Sequence, residues 1–316
     1  MFAKYFIPIL IITTIVFWIC AFLLPTQATI FLLLRNITFG IFIFYGGILI
    51  GMLVMLLTEY KNIEYEHLRK EPFELTLADG IKLYGEILTG KTTDSSPVVL
   101  ACHGWGSDMT QLYPMVYPLV VQGYKVVCYN HRGHGKKPYK SGGNKSDIDK
   151  TFMDVQQVVD FIEKRPDLNH EKLGAIGFSL GGYTLLTGGY LDPRIKLIIA
   201  FCAGHDWLEM NEFWAWYIRL FYRLDGLIVF PNEDLNRKLS PKYFLQKPSK
   251  KIICLSHAKN DRIVPYDGFL KNKKLLTLPD ENTLSFKKGD HGFFGQWTII
   301  VSQMIKWLND YLYKLP

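Results

Sequence analysis

Apolar residues along the chain fall into two regimes. Residues 5–24 and 30–57 are predominantly apolar and contain a single charged residue, Arg35. Each run is about as long as the roughly 20 residues a helix needs to cross a hydrocarbon layer. The pattern therefore predicts a tight two-helix transmembrane hairpin over 1–58, followed by a linker at 59–70. A cleaved signal peptide fits less well, because the first run exceeds a usual apolar core and Pro25-Thr26-Gln27-Ala28 is a poor cleavage site. Lys4 precedes the hairpin, and Lys61, Arg69 and Lys70 follow it. That bias predicts a multi-pass membrane protein whose larger part faces the cytoplasm. Gly47 and Gly51 share the small-xxx-small spacing that lets helices pack closely, which would permit a homo-oligomer through the membrane helices.

From residue 71 onward the pattern changes to short apolar runs separated by glycine, proline and polar turns. Segments 73–77 and 82–88, joined through Asp79-Gly80, predict an antiparallel hairpin. Runs at 97–102, 125–129, 173–178, 195–201, 251–256 and 283–286 predict strands, most of them apolar on both faces, as a central parallel sheet requires. Helical periodicity at 111–122, 152–164, 182–190 and 296–315 falls between and after them. The alternation predicts an α/β fold with a doubly wound, mostly parallel sheet over 71–316. The segment 204–248 breaks the rhythm and is crowded with Trp207, Phe213, Trp214, Trp216, Tyr217, Phe221 and Tyr222. It reads as a helical insertion that covers something apolar or rests on a membrane interface.

Composition narrows the chemistry. The formal net charge of +7 is spread among acids with no basic stripe, so nucleic acid is not an expected partner, whereas anionic membrane lipids are. The five cysteines include no pair at metal-ligand spacing, and four of them lie in strand-like runs, as buried free thiols do. His131 and His134 lack a carboxylate at ligand spacing and are expected to shape their loop rather than hold a metal.

The run Gly177-Phe178-Ser179-Leu180-Gly181 follows an apolar strand and opens a helix-compatible stretch. This is the context in which G-x-S-x-G marks a nucleophile. A serine hydroxyl needs a base within hydrogen-bond reach and a carboxylate to orient that base. His291, between glycines just before the last predicted helix, is the expected base, and Asp261, past the end of the 251–256 strand, is the expected acid. Asp206, Asp267 and Asp290 are the rivals for that role, Asp206 foremost. Two backbone N–H groups should face the oxyanion: that of Leu180, and one from His103-Gly104-Trp105-Gly106, where Trp105 is the expected donor and His103 a loop brace.

His103-Gly104-Trp105-Gly106, Arg132-Gly133-His134-Gly135, the turn around Ser179, Asp261 with Val264-Pro265, and Asp290-His291-Gly292 occur in an order that resembles the α/β-hydrolase superfamily. The resemblance implies an eight-stranded, mostly parallel sheet with flanking helices, a lid after the sixth strand and no cofactor. It further implies a membrane-anchored serine hydrolase acting on acyl esters or thioesters, with lipids or lipidated molecules as substrates. A serine peptidase, a haloperoxidase or carbon-carbon hydrolase, and a non-catalytic binding module of the same fold are the other readings.

Overall fold

The computed structural model describes residues 67–227 and 230–314, together with Gly40, Gly46 and Gly47, which are helical. His67–Pro316 forms one compact unit, separate from Met1–Glu66. Its centre is a single eight-stranded sheet: β1 (Arg69–Thr76), β2 (Lys82–Thr89), β3 (Pro97–Cys102), β4 (Lys125–Tyr129), β5 (Asn169–Phe178), β6 (Leu197–Phe201), β7 (Ile252–Ala258) and β8 (Thr283–Phe286). The spatial order is β1-β2-β4-β3-β5-β6-β7-β8. β2 runs antiparallel to both β1 and β4, and every other pairing is parallel.

Strand alternation explains why the central runs are apolar throughout. Val98, Leu100 and Cys102 of β3 point to one face, where Val155, Val158, Val159 and Ile162 of the helix Ile148–Glu163 cover them. Val99 and Ala101 point to the other, under Met115, Val116 and Leu119 of the helix Tyr113–Val121 and Ile300, Met304 and Trp307 of the helix Trp297–Leu308. Successive strand side chains alternate between faces, so a strand with helices on both sides has no polar face.

Between β3 and β5 the strand order reverses direction, since the chain leaves β3 for β4 on one side and returns to β5 on the other. Loops after these two strands diverge to opposite faces and leave a crevice at the carboxyl edge, which is where open α/β sheets bind ligands. Four helices, Trp207–Phe213, Trp216–Leu224, Glu233–Leu239 and Pro241–Phe244, fill the segment between β6 and β7.

Three expectations need correction. Among the described residues no helix is long and apolar enough to cross a membrane, which overturns the two-helix membrane localisation. The longest, Ile148–Glu163, has 16 residues, short of the roughly 20 a span needs, and it lays its apolar face on the sheet. The runs 5–24 and 30–57 themselves lie outside the described residues, apart from Gly40, Gly46 and Gly47. β1 begins at Arg69, inside the stretch expected as linker. Finally, a helix at Tyr266–Leu275, which the hydrophobic pattern did not predict, follows β7.

Candidate active site

β5 ends at Phe178 and a helix begins at Leu180, leaving Ser179 alone at the bend with φ 55° and ψ −113°. A non-glycine residue in that region costs on the order of 1–3 kcal/mol and persists only where its surroundings hold it. Here the Ser179 amide donates to the Phe201 carbonyl on β6 (2.8 Å), and the Ser179 carbonyl accepts from the Tyr183 amide (3.0 Å). The neighbouring glycines are sterically required. A Cβ at Gly181 would lie 2.0 Å from the Cys102 carbonyl oxygen, and one at Gly177 would lie 2.4 Å from the Gly181 carbonyl oxygen.

Three side chains converge at this bend. His291 Nε2 lies 2.9 Å from Ser179 Oγ, and His291 Nδ1 lies 2.7 Å from Asp261 Oδ2. An ionised carboxylate only accepts, so Nδ1 carries the ring proton and Nε2 is free to accept from the hydroxyl. The loop bearing His291 is tied to the loop bearing Asp261 by the Asp290 amide, which donates to Asn260 Oδ1 (3.1 Å).

Asp261 is buried and saturated with donors. Its Oδ1 accepts from the amides of Ile263 (2.8 Å) and Val264 (2.9 Å). Its Oδ2 faces His291 and also His257 Nε2 at 3.2 Å. Burial alone would raise the carboxyl pKa, but the charge of His291 and hydrogen bonds from His257 and His291 outweigh it and hold the group well below the usual carboxylate range.

The rival acids face elsewhere. Asp206 caps the helix Trp207–Phe213 by accepting from the Leu208 amide (2.8 Å) and pairs with Lys242. Asp267 pairs with Lys271, and Asp290 accepts from the Gly292 amide within its own turn.

The loop after β3 is braced as a unit. His103 Nε2 accepts from the His131 amide (3.0 Å), which leaves Nδ1 to donate to the Gly104 carbonyl (2.8 Å). The Gly104 amide in turn donates to Gln111 Oε1 (2.9 Å). Burial pushes His103 down to about 3 and His134 down to about 4, so both stay neutral. Trp105 stands beside Ser179 and Leu180 and donates its indole N–H to Asp225 Oδ2 (2.9 Å). The Leu180 amide is in the first turn of its helix, among the N–H groups that have no intrahelical acceptor.

On that flank a chamber of ≈ 30 Å³ opens from Ser179, walled by Trp105, Leu180, Trp207, Met210, Trp214 and Tyr222 among others. The insertion thus divides its aromatics: Trp207, Trp214 and Tyr222 are buried over the site, whereas Trp216 and Tyr217 face solvent.

Two site neighbours escaped the sequence reading. His257, four residues before Asp261, donates from Nε2 toward Asp261 and the Val264 carbonyl (3.0 Å). Cys202, at φ 49°, lies with Sγ 3.5 Å from the His291 carbonyl oxygen. Ligand atoms of Cys202, Asp261 and His291 fall within 4.8 Å of one another. Burial holds the thiol far above its ordinary range, so it stays protonated, a poor form for binding a metal. Its position was hidden because a lone cysteine in an apolar strand run carries no local signal.

Comparison with known proteins adds to this geometry. The sequence profile of a family described as serine aminopeptidase, S33, matches residues 93–253. The thiohydrolase aneE of Aspergillus aculeatus is 26% identical over 132 residues, 41% of this chain and 40% of its own. Among solved structures, an esterase of Pyrococcus furiosus superposes with a TM-score of 0.62 at 19% identity, covering 78% of this chain and 92% of that one. The acylaminoacyl peptidase of Pyrococcus horikoshii gives 0.62 at 22% identity, covering 82% of this chain and 44% of that one.

Proposed function

On the premise that the chain belongs to the S33 serine aminopeptidase family of α/β-hydrolases, we propose that it is a serine hydrolase cleaving acyl esters or thioesters. Ser179 is the nucleophile, His291 the base and Asp261 the orienting acid. The observation that carries this reading is the continuous chain of contacts from Ser179 Oγ through both nitrogens of His291 to Asp261.

The steps follow from the contacts. Ser179 Oγ attacks the acyl carbon while His291 Nε2 takes its proton, and Asp261 stabilises the imidazolium. The amides of Trp105 and Leu180 receive the oxyanion, each contributing roughly 3 kcal/mol to the transition state by analogy with other oxyanion donors. Collapse expels the alcohol or thiol, which takes the proton from His291. Water then repeats the cycle on the acyl-enzyme and frees Ser179. Lipids and lipidated molecules, the substrates implied by the resemblance, enter as carriers of the ester or thioester bond.

The test is labelling with a fluorophosphonate, alongside hydrolysis of aryl esters. Wild type should be labelled and active, and Ser179→Ala and His291→Ala should lose both properties. Folded wild-type protein that takes no label would remove the serine-hydrolase reading.

A peptidase is the second reading, favoured by the family description and by the likeness to an acylaminoacyl peptidase. Among the described residues no carboxylate lines the chamber beside Ser179, so a free α-amino group entering it would meet no counter-charge from them. Faster turnover of aminoacyl or acylaminoacyl amides than of simple acyl esters would favour the peptidase.

A further inference from the structure

The chamber beside Ser179 has a side as well as a size. It is lined by Trp105 and Leu180, which present the oxyanion amides in the reading above, and by Trp207, Met210, Trp214 and Tyr222. His291 and Asp261 do not line it. The leaving oxygen or sulfur must lie at His291 Nε2, because that nitrogen protonates it. The chamber therefore lies on the acyl side of the scissile bond, and the leaving group extends the other way.

A cavity needs about 10–15 Å³ to hold one water-sized group, so ≈ 30 Å³ has room for two or three carbon-sized ones. Specific bonds as well as packing hold the walls. Trp214 donates its indole N–H to the Ile263 carbonyl (2.5 Å) and stacks on Tyr222 at 4.7 Å. Met210 Sδ accepts from the Tyr183 hydroxyl (3.2 Å). Trp105 is fixed to Asp225, which also pairs with Lys145 at 3.3 Å.

We propose that this chamber is an acyl pocket that restricts the enzyme to acetyl and propionyl groups, with Trp214 and Met210 setting the limit. The proposal rests on the serine-hydrolase reading and narrows it. Long-chain acyl groups are excluded as the part transferred to Ser179, whereas a bulky or lipid-like alcohol is accommodated as the leaving group. Methylenes forced into a close-packed site strain its walls, so discrimination rises steeply with chain length.

The experiment is a kcat/KM series on p-nitrophenyl acetate, propionate, butyrate, hexanoate and octanoate, run on wild type, Trp214→Ala and Met210→Ala. Fluorophosphonate labelling and a thermal melt accompany each protein. Wild type should favour acetate or propionate over octanoate on the order of 100-fold. Both variants should move the optimum toward hexanoate, and Met210→Ala, the smaller truncation, covers the case in which Trp214→Ala fails to fold. A labelled wild type that cleaves octanoate as well as acetate overturns the acyl-pocket proposal but leaves the serine hydrolase standing. Folded, labelled variants with an unchanged profile overturn the assignment of Trp214 and Met210. Absence of labelling in folded wild type removes the underlying reading and the proposal with it.

Discussion

Ser179 has two flanks built by opposite means. On one, Asp261 gathers donors from His291, His257 and two backbone amides, so polar contacts fix every atom. On the other, tryptophans, a methionine and two tyrosines help enclose a small apolar chamber, with a few hydrogen bonds holding their outer edges. On the proposed reading, the first flank needs directional contacts because a proton must move along it, and the second needs only shape. Their failures should therefore differ in kind: loss of turnover on the polar flank, loss of selectivity or stability on the apolar one.

The largest expected effect is on the polar flank. Ser179→Ala or His291→Ala should lower kcat by about 10⁶-fold and Asp261→Asn by about 10⁴-fold, with melting temperature nearly unchanged in Ser179→Ala and lower in Asp261→Asn, which loses the ionised carboxylate its donors hold. Steady-state kinetics on an aryl acetate would check this, and equal losses on both flanks' variants would erase the distinction.

Next comes the buried pair beneath the loop after β4. Arg132 makes a two-pronged contact with Asp154 (2.8 and 2.6 Å), and both side chains are buried. Arg132→Met strands the Asp154 carboxylate and should cost about 3–5 kcal/mol in urea unfolding. The double variant with Asp154→Leu should recover much of that loss, since two apolar groups replace the whole pair.

Acid should separate the flanks without any mutation. His103 and His134, pushed down to about 3 and about 4, and His131, held well below its usual range by burial, stay neutral in the fold but protonate near 6.5 when unfolded. Below about pH 6.5 the unfolded chain binds more protons, so stability falls as pH drops toward 4, by about 1.4 kcal/mol per pH unit for each such histidine. Asp261 acts in a different window. Its folded pKa is depressed, so its contribution is complete above the unfolded value near 3.9 and is lost only below it. Urea unfolding at pH 7.5 and 5.0 should show the loss, and stability flat across that range would contradict it. The smallest effect is expected from Trp105→Phe, which removes the indole bond to Asp225 and should cost about 1.5 kcal/mol, read as a lower melting temperature.

What sequence reading reached follows the same division. The sheet and the positions of Ser179, His291 and Asp261 were legible because each has a local cause: glycines that a sharp bend requires, or polar residues just past the carboxyl end of an apolar strand. The part played by His257 depends on the fold bringing Asp261 back to it, and no short pattern announces that contact. The helix Tyr266–Leu275 was missed because it presents few apolar residues and contains Gly268. Its signals were Pro265 before it, Asp267 in its first turn and Lys273 and Lys274 in its last, which mark termini rather than a periodic face. Among the aromatics of the insertion, composition alone could not separate Trp214, which walls the chamber, from Trp216, which is 76% exposed. Membrane spans were inferred from near-continuous hydropathy, and no described helix is long and apolar enough to cross a membrane.

The backbone at Ser179 also limits what this protein can become. At φ 55° a β-branched side chain meets steric conflict that an unbranched one avoids. Threonine, though it carries the same hydroxyl, is thus a poor replacement, whereas cysteine keeps the serine shape with one atom exchanged. On the proposed reading, a drift from oxygen to sulfur nucleophile lies one substitution away within this fold, and the route through threonine is closed by the turn itself.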